Sequence, residues 1–207
     1  MKSNAGERTL FASVLLSAPG PVVVGAGLLV GRSSTQLADF IRRTAELIAI
    51  IVSAIVFRIT NQDDISAAAK KEKLEVTANR CVGAAMCLSG VIMLLLAFLS
   101  ESGEKGNVIP GLAIAVLGVI TNTIFWFRYR RLNQVNPNAI LAVQSKLYRA
   151  KSFVDACVVI ALATIVIAPN SSAAGYMDIV GSAAVSIYLL VTGIGILLGK
   201  RAGAVKG

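Results

Sequence analysis

The stretch QLADFIRRTAELIAIIVSAIVF, Gln36 to Phe57, decides how this chain is read. It is long and apolar enough to cross a bilayer, yet its first half carries Asp39, Arg42, Arg43 and Glu46, two charges of each sign. A charge at the bilayer centre costs at least ~2.5–3.5 kcal/mol on insertion scales. Ionisable residues at that depth therefore face the interior of a bundle, pair with one another and mark function.

The rest of the chain places this stretch in a membrane. Of the 207 residues 56% are hydrophobic and only 15% charged, against about 25% charged in an ordinary soluble domain. Too little polar surface remains to face water, which excludes a large soluble core. Apolar runs at about 9–30, 36–58, 78–99, 107–127, 147–168 and 176–199 approach or exceed the roughly 20 residues a helix needs to span a ~30 Å hydrocarbon core. The expected fold is an all-α, six-helix transmembrane bundle. LFASVLLSA in the first run imitates the apolar region of a signal peptide, but the expectation is that it remains as the first span. KRAGAVKG follows the sixth, so a single transmembrane domain without a C-terminal soluble module is expected.

Basic residues set the orientation. Lys2, Arg8, Arg58, Lys70, Lys71, Lys73, Arg80, Arg128, Arg130, Arg131, Lys146, Lys200, Arg201 and Lys206 all fall on one side of a six-span path. The positive-inside rule makes that side the cytoplasm and puts both termini there. The formal net charge of +9 is then explained by topology and by anionic headgroups, with no need for nucleic acid. The expected partners are the lipid bilayer and a second copy in a homodimer, and the expected location is the inner (cytoplasmic) membrane of a bacterium.

Enzyme chemistry has little to stand on. The chain contains no histidine, and Cys81, Cys87 and Cys157 lack the paired spacing of a zinc site. No phosphate loop, dinucleotide fingerprint, nucleophile-base pair or haem motif is present. No resident cofactor is expected, and a divalent cation enters only as a candidate substrate.

The charges supply a candidate site instead. Asp39, Arg42 and Glu46 share a helical face, and Arg43 reaches back to Asp39 at i,i+4 in a self-neutralising ladder near the outer interface. Counting ~1.5 Å per residue from Ser34 puts Glu46 roughly 18 Å into its span, near the midplane. LYRAKSFVDACVVIALATIVIA, in the fifth span, again sets a cation and a carboxylate four apart, Lys151 and Asp155. By the same rise Asp155 lies about 21 Å from Pro169, at nearly the depth of Glu46. If the two helices pack, Glu46 and Asp155 form an intramembrane quartet with Arg42 and Lys151. Buried ion pairs are poor stabilisers after desolvation. The quartet is either a functional site or a cluster that locks helix register.

Other polar features are secondary. Pro19, Gly20 and Pro21 should kink or unwind the first span. Asn122, deep in the fourth, is a candidate cavity lining, and Trp126 with Tyr129 reads as an interfacial anchor. Gly25, Gly27, Gly83, Gly90, Gly193 and Gly195 permit close helix approach.

Several of these stretches resemble the transmembrane half of the cation diffusion facilitator (cation efflux) family. GRSSTQLADFIRRTAE is similar to that family's approach to the second helix, KKEKLEVTA to its Lys-x-Glu start of the third, AKSFVDA to its fifth-helix His-x-x-x-Asp and YMDIVGSAAVSIYLL to the start of its sixth. The resemblance implies six spans and export of divalent cations against protons, with the family's four ligands falling on Arg42, Glu46, Lys151 and Asp155. A shift of three in the fifth helix would bring Tyr148 and Ser152 there instead. A guanidinium and an ammonium repel a divalent ion, so Glu46 and Asp155 are at best its two remaining protein ligands, with Asp39 a further carboxylate nearby. The reading is a secondary-active transporter, an antiporter by resemblance, with Glu46, Asp155 and Asp39 as substrate or proton sites and Arg42 and Lys151 as counter-charges. The alternative is a non-transporting scaffold or partner subunit in which the cluster is structural.

Overall fold

The computed structural model describes residues 3–30, 34–61, 68–99, 109–167 and 172–199. Among the described residues the regular structure is entirely helical. The helices are α1 (Ser3–Ser17), α2 (Pro19–Val30), α3 (Ser34–Thr60), α4 (Ala68–Leu99), α5 (Ile109–Val135), α6 (Ala139–Ile167) and α7 (Ser172–Leu197).

The first apolar run is thus two helices, broken at Ala18. Ala18 N still donates to Val14 O at 2.9 Å and closes the last turn of α1. Pro19 and Pro21 have no N–H to offer the carbonyls four residues back, so the ladder stops there and restarts as α2. Gly20 leaves room at the break for α3: a Cβ built on it would lie 3.4 Å from Arg43 Nη1. Arg43 therefore lies against the broken span.

Among the described residues, two segments, 69–95 in α4 and 112–135 in α5, are long and apolar enough by themselves to cross a membrane, and α7 contributes a shorter apolar stretch, Ala183–Leu197. The pieces α1 and α2 are short, while α3 and α6 are interrupted by Arg42, Arg43, Glu46, Lys151 and Asp155. Those helices gain from one another what their composition lacks, because the charges pair inside the bundle.

Packing joins α5 to α6 and α4 to α7 most closely, with α3 against α4, α1 and α2. The α5–α6 hairpin turns at Pro137, and Asn138 caps α6, its Oδ1 accepting from Ile140 N at 2.9 Å and Leu141 N at 3.3 Å. Between α4 and α7 the backbones nearly touch. A Cβ on Gly193 would lie 2.8 Å from Gly83 O and 2.6 Å from Cys87 Sγ, the close approach that small residues permit in membrane bundles.

The core gathers Leu10, Ile50, Met86 and the ring trio Phe125, Tyr129 and Tyr148, whose centroids stand 5.1–6.1 Å apart. The outside is apolar as well: Phe11, Val22, Ile55, Leu117, Ile160 and Val191 are all more than half exposed. An exposed apolar belt shared by the helices is the surface of a protein whose solvent is lipid.

Candidate functional site

Glu46 is the centre of the charged cluster. One helical turn along α3, Arg42 places Nη1 3.6 Å from Glu46 Oε1, as i,i+4 spacing requires. From α4, Ser89 donates its hydroxyl to the same oxygen at 2.8 Å. From α6, Lys151 brings Nζ to 3.3 Å from Oε2. The Glu46 side chain is only 7% exposed, so three helices deliver donors to one buried carboxylate. Two of these groups are cations, which is what a carboxylate withdrawn from water needs.

Helices α3 and α6 approach each other at few points. The expected packing of the two is therefore made by side chains rather than by backbones. Lysine's four-carbon stem spans the gap, and the ammonium also lies 5.4 Å from the centroid of the Tyr148 ring, a cation–π distance.

Asp155 is held differently. Asn122 on α5 donates Nδ2 to Asp155 Oδ2 at 2.6 Å. Gly118, one turn before Asn122, makes the space for that carboxylate, because a Cβ there would come 2.5 Å from the same oxygen. Lys151, Arg42 and Glu46 are all within electrostatic range of Asp155. The four expected residues therefore form one electrostatic unit, with the ion pairs on Glu46 and a neutral amide on Asp155.

The other candidates make different contacts. Tyr148 is buried with its hydroxyl 3.4 Å from Ser17 Oγ on α1, and Ser152 pairs with Thr123 on α5 at 2.6 Å. Of the two fifth-span alternatives, Lys151 reaches Glu46 and Asp155 meets Asn122. Asn122 acts as the donor to Asp155. Asp39 belongs to the first turns of α3, but its side chain lies outside the described residues. Among the described residues, no three His, Cys, Asp or Glu side chains converge in a metal-binding group.

Sequence reasoning missed Ser89, Gly118 and Thr123. Ser89 interrupts the apolar run from Val82 to Phe98, and Gly118 stands four residues before Asn122. Both are signals of an inward polar face, but neither indicates its partner. Gln144 was missed too. It is fully buried, and neither amide atom has a hydrogen-bond partner among the described residues. It stands four residues before Tyr148 and seven before Lys151, on the same stripe of α6.

With this geometry in place, comparison with known families is specific. The family model for the cation efflux transmembrane domain matches residues 10–199. The chain belongs to the cation efflux family. No curated protein matches it significantly. The match runs from within α1 to the end of α7, so the whole bundle is the cation efflux domain and its apolar belt is the lipid-facing surface. Cation efflux proteins are integral membrane transporters of metal cations rather than enzymes, and the charged cluster lies inside such a transporter fold.

Proposed function

We propose that this chain is a secondary-active transporter that exchanges a cation for protons through a site formed by Glu46 and Asp155, with Arg42 and Lys151 as tethered counter-charges. The observation that carries this reading is the Lys151–Glu46 contact at 3.3 Å, which draws two sparsely touching helices into one buried cluster. Two carboxylates and two tethered cations sum to zero, so the cluster can remain in a low-dielectric interior between cycles.

The two acids have different parts. Glu46, with a cation on each side and the Ser89 hydroxyl, anchors the cluster. Asp155, held by a neutral amide, is the carboxylate that exchanges its proton or cation. Lys151 is the movable counter-charge: as a cation arrives, the ammonium withdraws from Glu46 toward the Tyr148 ring. Rocking of the helices about this level alternates access. Buried Gln144, with an amide unmet among the described residues, supports water reaching the inner stripe of α6 from that end. Both termini face the cytoplasm, the membrane is the bacterial inner membrane, and a homodimer is the assembly.

The test is flux into proteoliposomes containing a pH-sensitive dye, screening zinc, manganese, iron and cadmium. The wild type is expected to move protons in a metal-dependent way, and folded Asp155→Asn and Glu46→Gln variants to lose that movement. Retained flux in both variants, or a silent wild type that elutes as a folded species, would overturn the proposal.

A further inference from the structure

A groove of about 330 Å³ runs between α1 and α5, away from the charged cluster. Its polar mouth is made by Arg8 and Arg128, both exposed, with the Thr9 hydroxyl between the two helices. Arg128 Nε donates to Thr9 Oγ1 at 2.8 Å, which folds that side chain across the mouth. Among the described residues, neither Arg8 nor Arg128 enters an ion pair, whereas neighbouring Glu7 is committed to Arg58 at 3.3 Å. Deeper in, the walls turn apolar with Leu16, Ile124 and Phe125. Leu16 and Ile124 are 62% and 60% exposed, so this part of the groove opens toward the hydrocarbon.

We propose that this groove is a binding site for an anionic phospholipid, its phosphate held by Arg8 and Arg128 and one acyl chain lying along Leu16, Ile124 and Phe125. Charge complementarity decides the occupant. Two guanidiniums line one mouth with no carboxylate among the described lining residues, at the end of the bundle that the positive-inside rule assigns to the cytoplasm, where anionic headgroups collect. A guanidinium suits phosphate better than a point charge does, because its donors lie in a planar fork. The change from basic mouth to apolar floor follows the profile of a single lipid molecule. Bound there, the lipid would tie α1 to α5 and so brace the half of the first span that precedes the break at Ala18.

The experiment measures lipid retained by the full chain in detergent, with phosphatidylglycerol against phosphatidylcholine of the same acyl chains, by native mass spectrometry. Phosphatidylglycerol should be retained preferentially. The Arg8→Gln/Arg128→Gln pair should weaken retention by about thirtyfold. The Arg130→Gln/Arg131→Gln pair removes the same charge from a separate groove with Phe127 and should leave most of it. Ile124→Trp fills the apolar part without touching the arginines and should also displace the lipid, which keeps the test open if the first pair fails to fold. Equal losses in both arginine pairs would mean diffuse charge attraction and would overturn the site. So would retention unchanged by Ile124→Trp, or full competition by inorganic phosphate alone, which would reduce the site to an anion contact. Cross-linking of Ile124→Cys between two copies, above the wild-type background, would give the groove to a second chain and equally refute the proposal.

Discussion

Replacing Lys151 by Met removes an ammonium 3.3 Å from Glu46 Oε2 and keeps most of the side-chain volume. Two unit charges at that separation attract by about 5 kcal/mol at an effective dielectric of ~20. Removing one partner of a buried pair typically costs about 3–5 kcal/mol, much of it from the carboxylate left behind. Arg42 at 3.6 Å and Ser89 at 2.8 Å remain on Glu46, and Lys151 itself is 19% exposed. The loss should therefore fall near the lower end, about 3 kcal/mol. Glu46→Gln alone leaves the Lys151 ammonium without this carboxylate and is also destabilising. The double variant Lys151→Met/Glu46→Gln contains neither the bare carboxylate nor the bare ammonium, so its loss should be smaller than the sum of the singles by about 2 kcal/mol. Unfolding by SDS in mixed micelles, followed through Trp126, the chain's one tryptophan, measures all four corners of the cycle. Additivity within about 0.5 kcal/mol would show that the two residues do not share an interaction. The α3–α6 bridge would then be discarded as the organising contact of the site.

Two further substitutions test its surroundings. Gly118→Ala places a methyl group 2.5 Å from Asp155 Oδ2; it should displace the carboxylate from Asn122 and lower flux in proteoliposomes severalfold, and wild-type flux would show that the Asn122 contact is dispensable. Gly193→Ala drives a Cβ to 2.8 Å from Gly83 O, a backbone atom that cannot swing away, and should destabilise the fold by about 1–3 kcal/mol in the same SDS titration. An unchanged midpoint would mean that α4 and α7 have room to part.

The charged cluster explains why a membrane protein contains helices that look poorly suited to a membrane. α3 and α6 carry their charges in the stretches that meet, so each supplies what the other's ions require. α4 and α5, apolar enough to span alone, contribute neutral donors, Ser89 and Asn122. Division of labour of this kind follows from the cost of an unpaired charge in hydrocarbon, which permits ions only where several helices converge.

What the sequence determined by itself was the solvent and the cast of residues. Long apolar runs admit only helices in a bilayer, because each backbone polar group must be satisfied within its own segment. The short motifs in α3, α4, α6 and α7 were enough to point to the cation efflux family, and i,i+4 spacing alone placed Arg42 beside Glu46. These are local properties, readable along one helix. Tertiary structure decided the rest. It showed that Lys151 reaches Glu46 across a gap between helices, that Asp155 takes its hydrogen bond from Asn122 and its space from Gly118, and that Tyr148 and Ser152 turn to α1 and α5. It set Arg43 against the break in the first span, and it brought Arg8 and Arg128 together at the mouth of one groove. Residues far apart in the chain meet only when helices have chosen their neighbours and rotations. That choice rests on summed packing, such as the Gly83–Gly193 approach, and no periodicity within a single helix records it.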